Sequence, residues 1–463
     1  MKSLTISLVL FVFFSTFSFA QNVEAKVGTN GSFTVFNSNN NSLLSVSETD
    51  QILNISNINL PNTVNQSSGI ISKAGLRFLH TYGDNNVFLG YNSGNFTLSS
   101  SSNGNIAFGT NTLQGLTTGV ENTAVGNASL SLVTTGNYNS AFGSFSLQPN
   151  TIGYNNSAFG YASLRSNTQG YGNTATGVAA LYYNTTGHDN CAYGGSSLYQ
   201  NTTGFFNSAF GMGSLKKNNG DENSAFGQSA LFENTSGYSN SAFGTIALSG
   251  NTTGFFNTAI GYSAGSTVTT GSNLTLIGYN AQPSSQNSTN QITLGNNSIT
   301  SLRCNVTSIS SLSDARDKKN IKDLSLGLDF LMNVKPREFN WDKREWYESG
   351  VNDGSKMNEA PTAGFIAQEL DEAQTKANAE WLNLVLKDNP EKLEATMGNL
   401  FPIVVKAVQD LKIEKDKEIA SLKSENEQLR KELDALKEVQ MRLAKLEQMM
   451  NSAEVKFSSY TGE

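Results

Sequence analysis

Apolar and polar positions along this 463-residue chain follow three different beats. The longest is a repeat. From residue 104 to 298 a short motif, complete in Asn139-Ser140-Ala141-Phe142-Gly143, returns with its glycine at Gly109, Gly126, Gly143 and so on to Gly295. Ten of the eleven intervals are 17 residues, and the one from Gly211 to Gly227 is 16. Leu follows most of these glycines by four residues, from Leu113 to Leu248, and a second glycine, usually in Thr-Thr-Gly, keeps time from Gly119 to Gly271. Self-similarity at a fixed short period marks a stacked architecture. Seventeen residues are too few for a helix pair, and no 3.6-residue stripe is present. The unit reads as two short strands and two turns: Ala-Phe-Gly alternates small and large side chains, leaving Phe free to point inward, and Asn-Thr-Thr-Gly is turn chemistry. A β-solenoid follows, with Phe and Leu stacking into a continuous core and a length of about 50 Å at ~4.8 Å per coil. The residue missing before Gly227 is expected in the polar stretch between Leu215 and Gly220, where deletion costs least.

The flanks carry other patterns. Met1-Lys2, an apolar run from Leu4 to Phe14 and small residues at Ser18 and Ala20 predict a secretory signal at 1–20, cut before Gln21. The run is short of the roughly 20 residues that span a bilayer. No second segment is apolar enough to span, so the mature chain is expected to be exported, secreted or at the cell surface, without a transmembrane segment. Residues 21–103 hold strand-like pieces, Ser32–Phe36 and Leu43–Val46, among Asn-rich turns. They are read as a β cap on the solenoid, with a receptor-binding tip as the alternative. Beyond Ile413 a heptad sets in, with Leu422, Leu429, Leu436, Leu443 and Met450 at d and Ile419, Asn426, Leu433, Gln440 and Glu447 at a. This predicts a coiled coil over 412–450 and a tail at 451–463. The polar a residues weaken it and set its register; Ile and Leu alone would suit a dimer.

Charge changes the picture by where it falls. Only 15% of residues are charged, and 52 of the 69 charges lie in 313–463. That break separates the repeats and a junction at 299–312 from a domain at 313–411. Stacked identical coils would place like charges in register every ~4.8 Å, which disfavours charge in the repeats. A net charge of −7 offers no basic footprint for nucleic acid. Two Cys and two His make a disulfide framework and a Cys/His metal site improbable, and no cofactor is expected.

The junction carries the candidate chemistry. Residues 313–320 read Ser-Asp-Ala-Arg-Asp-Lys-Lys-Asn. A Ser hydroxyl needs a base, and a Lys in a low-dielectric setting supplies one without any His, which 313–463 lacks altogether. By residue type alone the same string reads first as a helix cap at Ser313-Asp314 with Lys318 and Lys319 in solvent. After it come a Leu-rich helix (Leu324 to Leu331), Val334-Lys335-Pro336-Arg337-Glu338-Phe339-Asn340-Trp341, Gly364-Phe365-Ile366-Ala367-Gln368-Glu369-Leu370 and Leu400–Leu411.

In this order, over 313–411, these segments resemble the intramolecular chaperone domain of phage endosialidases, tail spikes and fibres, also found in myelin regulatory factor. The resemblance implies an α+β domain that trimerises, guides a β-helical stalk into register and cuts itself off. It implies a Ser313–Lys318 dyad, a scissile bond between Leu312 and Ser313, and supporting roles for Asp314, Arg316 and Asn320. Gly364–Leu370 would be core packing, with Gln368 and Glu369 as helpers. The repeats resemble the heads of trimeric autotransporter adhesins and repeat regions of phage fibres. The whole reads as a mostly β solenoid, an α+β chaperone domain and a coiled coil: an exported homotrimeric fibre or adhesin, matured by a single-turnover serine peptidase with no external substrate, directed at a host surface, glycan or matrix. Two alternatives stand beside it. One is a secreted polysaccharide-acting solenoid with a non-cleaving trimerisation domain, for which Asp189, Asp221, Glu222 and Glu233 are the candidate acids. The other is an ice- or surface-binding solenoid using its Thr-Thr pairs.

Overall fold

The computed structural model describes residues 24–27, 33–36, 42–46, 53–54, 63–64, 69–305 and 311–458. The expected export signal at 1–20 lies outside them. The chain divides into two units, Met1–Ile299 and Thr300–Glu463.

In the first unit, β1 (Glu24–Val27), β2 (Phe33–Phe36), β3 (Ser42–Val46) and β4 (Leu53–Asn54) form an antiparallel sheet in chain order. A 15-stranded sheet follows. It opens on an antiparallel hairpin, β5 (Ile71–Lys73) and β6 (Leu76–His80), which lies against β7 (Val87–Leu89). From β7 to β19 (Ile292–Leu294) every strand is three residues long and pairs in parallel with the next coil, as Ser140, Ala141 and Phe142 do with Ser157, Ala158 and Phe159. The parallel stack thus begins one coil before the regular beat, at Val87-Phe88-Leu89-Gly90, where the spacing to Gly109 is irregular.

The coil holds one strand, not two, and its core is not made of Phe. A three-residue strand turns its middle side chain one way and its outer two the other. Ala fills the middle and is fully buried in coil after coil, from Ala107 to Ala259, while Phe108, Phe159 and Phe243 lie on the outer face, 42% exposed. Facing the Ala column is the Leu column, Leu113 to Leu248, fully buried at φ of 47–52°. A non-glycine residue in that region pays roughly 1–2 kcal/mol, which the burial of a Leu side chain, worth about 1.5–3 kcal/mol, offsets. At the ends the columns change size. Phe88 stands in the first Ala position, and Leu276 stands in a late one. Gly265 replaces Leu opposite Leu276; a Cβ there would lie 2.7 Å from Leu276 Cδ1.

Polar ladders complete the lumen. Asn105 to Asn257 are fully or almost fully buried; from Asn105 to Asn240 each side-chain amide donates to the Asn of the coil before, and Asn257 reaches Asn240 through its backbone N–H. Asn173 Nδ2 donates to Asn156 Oδ1 (3.1 Å) and to the Gly187 carbonyl (2.9 Å), while its own Oδ1 accepts from the N–H and Nδ2 of Asn190 (both 3.1 Å). A second ladder runs from Asn150 to Asn251, each amide also bonded to a turn glycine carbonyl. It ends where Val268 takes the next position, and Asn251 Oδ1 is buried without a partner there. From Gly109 to Gly278 each anchor glycine adopts a positive φ hard against the next coil: a Cβ on Gly143 (φ 135°) would lie 2.4 Å from the Gly160 carbonyl oxygen.

The 16-residue coil shows how the deletion is absorbed. Elsewhere one Thr carbonyl accepts the N–H groups of the turn above it, as Thr202 O does from Thr185, Thr186 and Gly187. In the short coil the Asn219 side chain replaces that carbonyl: its Oδ1 accepts from Thr202 N (3.0 Å), Thr202 Oγ1 (2.8 Å) and Thr203 N (2.9 Å). Asn219→Asp keeps the acceptor and should leave stability almost unchanged. Asn219→Ala should lower it by about 1 kcal/mol, since the groups freed there reach water; urea unfolding of the full chain measures the difference.

In the second unit, α1 (Leu328–Leu331), α2 (Ala367–Lys376) and the short antiparallel pairs of β20 (Arg337–Phe339) with β21 (Thr362–Gly364) and β22 (Val385–Leu386) with β23 (Glu394–Ala395) surround a core of Phe330, Val334, Leu370, Leu382, Leu384 and Ile403. The Leu-rich segment is helical only over its last turn. From there α3 (Phe401–Ser458) runs unbroken for 58 residues. Its first turns are seated by Ile403 and Ala407, and from Leu411 to Ala453 every residue is exposed, heptad leucines included. No described helix is long and apolar enough to cross a membrane.

Candidate functional site

Ser313 and Lys318 are brought together by a local turn. Asp314 caps a single 3-10 turn at Ala315–Asp317, its Oδ1 accepting the Arg316 N–H at 2.8 Å. The Arg316 guanidinium also pairs with the Asp314 carboxylate, at 2.6 Å and 3.1 Å. That pair holds the Asp314 carboxyl below the usual range and raises the guanidinium, first through the side-chain hydrogen bond. The turn swings the chain back so that Lys318 Nζ donates to Ser313 Oγ and, at 3.2 Å, to the Ser313 carbonyl. Asn320 follows in a left-handed conformation, φ 55°, a geometry that Asn tolerates well. The Asp314 cap and the Lys318–Ser313 contact thus occur in the same turn.

The setting is open. Leu312, Ser313 and Lys318 are all exposed. The other residues singled out near the motif sit elsewhere. Gln368 is exposed on α2, and the Glu369 carboxylate is held by Arg337, at 2.9 Å from Nε, which lowers its pKa. No hydrogen bond joins Gln368 or Glu369 to the Ser313–Lys318 turn among the described residues. Leu370 does belong to the core, as Gly364–Leu370 implied.

Residues 313–378 match the family described as chaperone of endosialidase, and the match opens on Ser313 itself. This segment is an endosialidase-type chaperone domain. Comparison with curated proteins and with solved structures returned no match. The matched stretch of the chaperone domain contains the whole Ser313–Asn320 string, α1, β20, β21 and α2, and stops short of α3. Joined to a 17-residue β-solenoid, a chaperone domain of this type makes the protein fibre-like.

The acids considered for glycan hydrolysis are occupied separately. Asp189 pairs with His188 (3.0 Å), Asp221 accepts from Phe205 N (3.0 Å), Glu222 accepts from Ser239 Oγ (2.9 Å) and Glu233 pairs with Lys217 (2.6 Å). The first Thr of most Thr-Thr pairs spends its hydroxyl on the carbonyl of the next coil, as Thr185 does on Thr202 (3.0 Å).

Proposed function

We propose that the chain is an exported fibre or adhesin-like surface protein whose chaperone domain assembles three copies and then cuts the bond between Leu312 and Ser313. The Lys318–Ser313 contact carries this reading. In the proposed step Ser313 Oγ bonds to the Leu312 carbonyl carbon and its proton passes to Lys318 Nζ. The C–N bond then breaks, the Ser313 nitrogen takes up the proton, and water hydrolyses the resulting ester. A lysine acts as a base only where a low-dielectric surrounding disfavours the ammonium. In the single chain Lys318 stands in water, so the cut awaits burial of this turn on assembly. The exposed heptad face of α3 supplies the means to assemble, and the family's association with trimers supports three as the number. Export rests on the signal pattern at 1–20, and adhesion or display at a host surface, glycan or matrix follows from a fibre placed outside the cell.

Mass spectrometry of full-length protein tests the reading. Wild type should yield a fragment ending at Leu312 and another beginning at Ser313, and Ser313→Ala should remain intact. A Ser313→Ala chain cut at the same bond and rate overturns the self-cleavage.

A further inference from the structure

The outer face of the parallel sheet carries no charge. Each strand from β7 to β19 turns two side chains outward, and none of these positions is Asp, Glu, Lys or Arg. One column is mostly Ser and Thr, with Cys191 at mid-height. The other is apolar at almost every rung; its exposed members run from 37% at Phe142 to 52% at Leu294, and Leu89, Val125, Phe210 and Phe226 are half-buried. Its rings lie in a ladder: Tyr193–Phe210, Phe210–Phe226 and Phe226–Phe243 stack at 4.9, 4.8 and 4.9 Å between centroids. The charges of the repeats, such as Arg165, Asp189, Lys216 and Glu233, are confined to the turns.

We infer that this face packs against the same face of other copies of the chain. Charge depletion with aromatic enrichment marks the core of an interface rather than ordinary surface. Thirteen rungs at ~4.8 Å make a strip roughly 55–60 Å by 10 Å, so two such faces together cover on the order of 1,000 Å², the lower bound for a specific contact. The period identifies the occupant. Grooves between rungs accept side chains spaced at the same interval, and a second copy has that spacing. Ring faces are already spent on one another within the ladder, which leaves edges outward and gives a sugar no face to stack on.

The inference rests on the assembly reading above and adds a reason for the chaperone. A neutral periodic face meets its copy almost equally well after a slip of one coil, since nothing in it marks a register. Register then has to come from elsewhere, and a helix that joins the copies before the coils stack supplies it, at the raised effective concentration of linked chains.

Cys191 reports on the face directly. In a Ser313→Ala, Cys304→Ser chain, where α3 stays attached and Cys191 is the sole thiol, maleimide labelling should be about tenfold or more slower than in the same chain made monomeric by Leu429→Glu and Leu436→Glu, because buried thiols are inert. Phe210→Lys, which places a charge one rung from Cys191, should restore fast labelling while light scattering still reports the trimer and circular dichroism the native spectrum. Phe210→Thr, which copies the natural Thr176 rung, should leave Cys191 protected and shows that the fold tolerates change here. A trimer in which Cys191 reacts as fast as in the monomer overturns this inference alone. A monomer with α3 intact overturns the assembly reading and this inference with it.

Discussion

Putting glutamate at two heptad d positions, Leu429→Glu with Leu436→Glu, should stop the cut without touching the site that makes it. The Ser313–Lys318 contact is formed within one turn, by the Asp314 cap and the Asp314–Arg316 pair. It needs nothing from α3. The proposed cut, however, requires a lysine that gives up its proton, and the turn is solvent-exposed in the single chain. Burial shifts the balance between ammonium and amine by up to 3–5 pH units in full cases, so losing even part of that burial removes a large factor. A chain kept monomeric by the two glutamates should cut at least about 100-fold more slowly. Light scattering fixes the oligomeric state, and the amount of fragment ending at Leu312 over time gives the rate. A monomeric variant that cuts at the wild-type rate would show that the turn needs no assembly.

The second large effect lies in the lumen. Asn173→Ala should destabilise the solenoid by about 2–4 kcal/mol, because the Asn190 N–H loses its acceptor in a buried interior and a small cavity is left. Asn173→Asp should be worse at neutral pH. A carboxylate there faces two acceptors, Asn156 Oδ1 and the Gly187 carbonyl, and cannot donate to either. Burial and this repulsion raise the carboxyl's folded pKa above its unfolded value near 3.9. The neutral acid regains a donor, so the deficit should shrink as pH falls through the raised folded pKa and be largest well above it. Chemical unfolding of each variant at pH 5 and pH 8 measures both effects. Equal losses for Ala and Asp at both pH values would mean that the ladder is wet. Phe159→Thr provides the contrast: it changes a far larger side chain, yet on the outer face of a single chain it should cost under about 1 kcal/mol.

Much of this architecture was legible as pattern. The 17-residue interval, the anchoring glycines and the Leu four residues on are direct consequences of stacking, since a coil that repeats in space must repeat in sequence. The string from Ser313 to Asn320 was legible too, because its contacts span five residues. What misled was the identity of the inward side chain. Ala-Phe-Gly has no intrinsic inside, and hydrophobicity alone favours Phe; only the narrow lumen of a one-strand coil, filled by Ala, Leu and Asn, decides for Ala. The second expected strand is instead a run of turns, because each Leu is held at positive φ, a conformation that propensity disfavours and tertiary burial enforces. Nor did composition distinguish Asn of the turns from Asn of the ladders, which differ only in whether a neighbouring coil stands ready to receive each donor.

The amino-acid order by itself determined the period, the two-part division of charge and the nearness of Ser313 to Lys318, all of which depend on local spacing. The tertiary structure decided which face is core and which is bare, how Asn219 repairs the short coil, and that the turn holding Ser313 stands in water. These depend on what lies one coil or one domain away, and a side chain's surroundings are set by the fold as a whole.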